Sequence, residues 1–235
     1  MVSAYLRRGM AAGLLVGLLA GVFAFFVGEP ILDRAIALEE AAHHEEGHEE
    51  VFSRSTQKAG LFFATGLFGV TTGGVFGISY AFFRERLAAG SEFKRSIFLA
   101  GAIFAGAFLI PFLKYPANPP TVGDPATIRE RTAAYFTLVA LSLLAIFLAW
   151  LAARALKSRG INARNRRLMA GAGLVVVIGV LFLLLPAAPS TDGFPSGLLW
   201  AFRLSSFGTQ LIFWAGLGVL FGLLCERANR KGAVA

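Results

Sequence analysis

Apolar residues in this chain fall into six long stretches separated by short polar segments: Gly9–Val27, Ala59–Phe83, Ser96–Leu113, Ala133–Ala153, Leu168–Leu185 and Leu198–Cys225. A helix needs about 20 such residues, at 1.5 Å rise each, to cross a hydrocarbon layer of about 30 Å. The pattern therefore predicts an all-α polytopic membrane protein, a single integral domain over residues 1–235 with six transmembrane helices. The first stretch has the basic-then-apolar order of a signal peptide, but it is long enough to span and no small-x-small cleavage site follows it, so it reads as a retained helix. Glycine recurs at every fourth position in the first two stretches, at Gly9, Gly13, Gly17 and Gly21 and at Gly69, Gly73 and Gly77. Residues four apart share a helix face, so each stretch predicts a groove that admits another backbone.

Composition agrees: 56% of the residues are hydrophobic, 15% are charged, and the mean hydropathy is +0.67. A net charge of +8 with a pI near 10.2 would suggest nucleic acid in a soluble protein. Here the basic residues sit between apolar runs and act instead as topology signals. One set of loops and termini collects fifteen lysines and arginines, at residues 7–8, 84–95, 154–167 and 227–231, and the opposite set collects six. The positive-inside rule then predicts that both termini are cytoplasmic and that residues 28–58 face outward, together with Lys114–Thr132 and Pro186–Gly197. The basic loop Arg154–Arg167 needs no role beyond anchoring orientation near anionic lipid. Cys225 is the single cysteine, which excludes an internal disulfide and a cysteine-rich metal cluster.

Candidate chemistry is concentrated in the outward segment 28–58. All three histidines lie there (His43, His44 and His48), with eight of the fourteen carboxylates. Imidazole nitrogen beside carboxylate oxygen suits borderline divalent ions such as cobalt, nickel and zinc. His44 and His48 are four apart, as are Glu45 and Glu49, so one helical turn would put these four on one face, and His43 adjoins them. Gly47 weakens such a helix; a loop wrapping the ion is the alternative, and a solvated acidic connector is the plain one. The patch also concentrates dications by charge alone. An inside-negative potential then favours inward passage by about 4.6 kcal/mol for a divalent ion at 100 mV. Polar residues at or near membrane depth are Glu29, Arg203 and Gln210. A buried arginine seeks a partner or water, so Glu29 and Arg203 are a candidate pair, with snorkelling of Arg203 to the headgroups as the alternative. Glu49, Glu50 and Arg54 fit the EExxxR signature of intramembrane metalloproteases, but no histidine follows His48 to complete such a site. There is no GxSxG, no HExxH and no phosphate-binding GxxxxGK[ST]. No catalytic residue is assigned, and the chain is not expected to be an enzyme.

Several segments together resemble one family. GEPILDRAIALEE, the histidine-acid run, SRSTQKAGLF, PFLKYPANPPTVGDPATIRERT and DGFPSGLLWAFRLSSFGTQ are similar to the CbtA family of predicted cobalt transporter subunits, over nearly the whole chain. The resemblance implies cobalt, or a related dication, as substrate rather than as cofactor. It also implies a link to cobalamin synthesis, the bacterial cytoplasmic (inner) membrane, and a small single-span partner commonly called CbtB. Oligomeric state is left open. Descriptions of the family often count five helices where the apolar runs here give six, the run from Leu168 being the point of difference. By position the matching residues are Glu29, Pro30, Asp33, Glu39, Arg54 and Gln57, then Lys114, Tyr115, Pro116, Asn118, Pro119 and Asp124, then Asp192, Phe194, Arg203 and Gln210. With the residue reading this makes Glu29, Asp33, Glu39, Arg203 and Gln210 the expected groups for ion ingress or pairing. A non-conducting metal-binding or assembly protein of the membrane is the second reading.

Overall fold

Glycine-lined faces and proline-bent spans decide how this chain packs. The computed structural model describes residues 2–42, 52–87, 90–120, 122–191 and 193–232. Its helices are α1 (Val2–Phe23), α2 (Glu29–Ala42), α3 (Arg54–Phe83), α4 (Glu92–Phe104), α5 (Ile110–Lys114), α6 (Ile128–Ser158), α7 (Ala163–Leu184) and α8 (Ser196–Gly232), with no strand among the described residues. A π-helical turn, Ala24–Gly28, joins α1 to α2, and a second, Ala105–Leu109, joins α4 to α5. Six of the resulting helical stretches are long and apolar enough to cross a membrane. Ala163–Leu184 is one of them, so the described residues hold six candidate spans.

The first helix runs further than the apolar pattern predicts. The apolar run ends at Val27, and Pro30 just beyond it lacks the N–H for the i−4 carbonyl and crowds that turn with its ring. The π turn directly before it widens the helix by one residue per turn and lets the chain continue helical to Ala42. Part of the expected outward loop is therefore helix: Glu29–Ala42 extends α1 by roughly 20 Å at 1.5 Å per residue. Ser53 caps the return, its hydroxyl accepting from Thr56 N at 3.4 Å, and α3 begins at Arg54.

The chain divides into two compact units, residues 1–101, 118–121 and 194–235 in one and residues 102–117 and 122–193 in the other. In the first, α1 and α3 lie backbone to backbone. A Cβ placed on Gly9 or Gly13 would fall on the carbonyl oxygens of Gly73 and Gly69, and one on Gly69 or Gly73 would fall on those of Gly13 and Gly9. The expected glycine grooves are thus each other's partners. Tyr5, Phe76, Tyr80 and Phe221 stack beside them, the closest pair being Tyr80 and Phe221 at 4.9 Å between centroids. In the second unit α6 packs against α7 and against the π turn of the third span. Asn162 caps α7 by accepting from Asn165 N at 2.9 Å, and Gly160, at φ +77°, supplies the left-handed turn that ends α6. No residue of α7 is buried, and Leu183 stands 86% exposed, as an apolar side chain facing lipid would.

Candidate functional site

Two clusters of charge sit at opposite ends of α3. At its N-terminal end the extended first helix presents Glu29 and Asp33, four apart, to Arg54 and Lys58, also four apart. Arg54 donates to Glu29 Oε2 at 2.7 Å and to Asp33 Oδ1 at 2.6 Å, and also to Gln57 Oε1 at 2.6 Å; Lys58 Nζ reaches Asp33 Oδ2 at 2.6 Å. Matching i, i+4 spacing on two antiparallel helices allows both pairs to close together. The Glu29 side chain is 12% exposed and that of Asp33 41%, so the network grades from protein interior to surface.

The two charges considered as a pair from sequence take separate partners. Glu29 bonds Arg54, whereas Arg203 Nη2 donates to Asn118 Oδ1 at 2.9 Å and its guanidinium lies 5.3 Å from the Trp200 ring centroid. The physical reason is geometry: α3 starts beside Glu29, and a rigid fork on the facing helix reaches both carboxylates at once. Gln210 is half-buried in α8, and Glu39 is exposed on α2. His43, His44, His48, Glu45 and Glu49 lie outside the described residues, as does Asp192. Among the described residues no three His, Cys, Asp or Glu side chains come together as a metal group.

The motif residues after the third span are tied into the fold. Lys114 Nζ donates to Phe182 O at 2.7 Å and Tyr115 Oη to Pro186 O at 2.7 Å, so this pair closes the C-terminal end of α7, whose last carbonyls lack helical partners. Burial holds the Tyr115 phenol above its usual pKa, which keeps it a donor. Asp124 accepts from Ala126 N at 2.8 Å and opens the turn leading into α6.

The second cluster was not foreseen. At the C-terminal end of α3, Glu92 is only 7% exposed. It accepts from Tyr80 Oη at 2.6 Å and from Arg84 and Arg95 at 3.1 Å each. Glu226 faces the same region, accepting from Phe93 N at 3.4 Å, and a polar cleft of about 310 Å³ lies between Ser91, Glu92, Arg95 and Glu226. In the sequence Glu92 looks like one acid in a basic loop. The usable signal was Tyr80, a hydroxyl near the end of an apolar run that needs a buried acceptor.

Six helices long and apolar enough to span, with interhelical ion pairs such as Arg54–Glu29 and Arg84–Glu92 near their ends, define a multi-pass membrane protein. No curated protein and no solved structure matches the chain. Residues 2–226 fit the family model described as "Probable cobalt transporter subunit (CbtA)", and the chain belongs to that family. The family's description is that of a probable transporter subunit.

Proposed function

We propose that this chain takes up cobalt, or a close relative such as nickel, across the cytoplasmic membrane of a bacterium, with both termini inside and the histidine-acid run outside. Cobalt is the cargo, its use is cobalamin synthesis, and a small single-span subunit of CbtB type acts with this chain. His43, His44 and His48, with Glu45 and Glu49, capture the dication; Glu29 and Asp33 lie on its way inward, with Glu39 above them and Arg203 and Gln210 on α8.

The observation that supports this reading most is the anchoring of the histidine-bearing segment. It leaves α2 at Ala42 and returns at Arg54, and Arg54 is bonded to Glu29 and Asp33 at the base of α2. The end at which the segment returns, Arg54, is therefore beside two carboxylates whose present partners are cations. A metal ion can compete for Asp33, the more exposed of the two, without first breaking a buried pair. Imidazole and carboxylate fit cobalt and nickel alike, so the donor set does not choose between them.

Uptake of labelled cobalt into liposomes containing only this chain tests conduction. Flux that depends on the protein is the expected result. Binding without flux would favour the second reading, a membrane metal-binding or assembly protein, or a strict need for the small subunit, which co-reconstitution separates.

A further inference from the structure

The polar cleft near the C-terminal end of α3 carries charges that the transport reading does not use. It lies between the start of α4 and the last turns of α8, both in the first unit. Ser91, Glu92 and Arg95 line it from one side, and Glu226, Asn229 and Arg230 from the other. The apolar run of α8 ends at Cys225 and that of the third span begins at Ser96, so these groups sit where hydrocarbon gives way to headgroups. A volume of about 310 Å³ admits a group of several heavy atoms rather than one bare ion.

The charges around the cleft are not equivalent. Arg84 and Arg95 share the one carboxylate of Glu92, which Tyr80 also bonds, so this cluster keeps a net positive charge and holds Arg95 at the cleft. The first turn of α4 is already capped: Lys94 N donates to Ser91 Oγ at 3.2 Å and Phe93 N to Glu226 Oε1 at 3.4 Å. That long bond leaves Glu226 Oε2 without a donor among the described residues. Arg230 is exposed one turn further along α8; i, i+4 spacing permits a pair with Glu226, yet none forms among the described residues. One carboxylate and two guanidiniums therefore face the same cleft without cancelling one another.

We propose that this cleft seats the zwitterionic headgroup of phosphatidylethanolamine, its phosphate on Arg95 and Arg230 and its ammonium on Glu226. A guanidinium fork matches a phosphate, and an ammonium offers N–H donors to a carboxylate. A purely anionic headgroup would meet Glu226, and a purely cationic solute would meet the two arginines. A group carrying both charges satisfies all three residues. The quaternary amine of phosphatidylcholine has the charge but no N–H to give. Basic pockets between spanning helices take lipid headgroups in this way generally. In the proposed orientation the lipid belongs to the inner leaflet, and its binding does not depend on which ion passes or on whether any does.

The test uses the full chain in nanodiscs of phosphatidylethanolamine, phosphatidylcholine and phosphatidylglycerol in equal parts, released and weighed by native mass spectrometry. One phosphatidylethanolamine should stay with each chain, retained about tenfold over either other lipid. Glu226→Gln removes the partner of the ammonium and should erase the preference over phosphatidylglycerol. Arg230 is exposed and holds no other element, so Arg230→Gln keeps the fold and should lower retention of phosphatidylethanolamine. Equal retention of the three lipids, preferential retention of phosphatidylglycerol, or a pattern that either substitution leaves unchanged overturns the proposal. Short-chain phosphatidylethanolamine should also raise the melting temperature of the chain in detergent. Soluble glycerophosphoethanolamine raising it equally would assign the cleft to a soluble ligand and overturn the lipid reading.

Discussion

At the scale of residues, the two ends of α3 carry different energetics. Glu92 is enclosed and holds two guanidinium groups and a phenol, so Glu92→Ala strands buried donors and should cost about 3 kcal/mol. Thermal unfolding in detergent, with Asp33→Ala as the comparison, measures this. The Asp33 change should cost about 1 kcal/mol or less, because its side chain is 41% exposed and Arg54 keeps Glu29 as a partner. For Glu29 the expected partner is now definite. Reversal of Glu29 and Arg54 together should recover more folded protein than either reversal alone, whereas reversal of Glu29 with Arg203 should recover none. Equal recovery from both combinations would refute the pairing seen here. The sequence already held the clue: Glu29 and Asp33 on one helix and Arg54 and Lys58 on the next share a four-residue spacing. Depth was the signal followed instead, and depth makes Arg203 and Glu29 look like neighbours although their helices present them to different partners.

Among elements, the length of each apolar run made all six spans readable, including α7, because crossing lipid leaves helix as the open-chain solution. Helix ends were harder to read. A proline usually stops a helix, and nothing in the pattern revealed that a π turn would carry the first one past Pro30 to Ala42. The glycine registers were legible and proved to be mutual, which gives a sharp expectation. Gly13→Ala should destabilise the protein strongly, since the added methyl meets the Gly69 carbonyl and the two helices must separate. Gly171→Ala on α7 meets nothing within 4 Å and should be neutral or raise stability by up to about 1 kcal/mol through helix propensity. Size-exclusion profiles after graded heating would rank the two variants; the reverse order would show that the α1 and α3 backbones do not touch.

For the molecule as a whole, composition and the six apolar runs were enough to reach the membrane class, and the family match agrees with the resemblance read from the motifs. Much of the resemblance falls on residues that hold the fold, such as Lys114, Tyr115 and Asp124, so likeness in these segments reports architecture as well as cargo. Replacing His43, His44 and His48 together by alanine should weaken cobalt binding of the purified chain at least tenfold, about 1.4 kcal/mol, by calorimetry. Unchanged affinity would move capture elsewhere. The contact between α1 and α3 bears on any transport cycle. With main chain against main chain there is no cushion of side chains to slip or re-pack, so these two helices form a keel. If this chain conducts an ion, the expected motion is against that fixed pair, and probes placed on α1 and α3 are the internal ruler that would measure it.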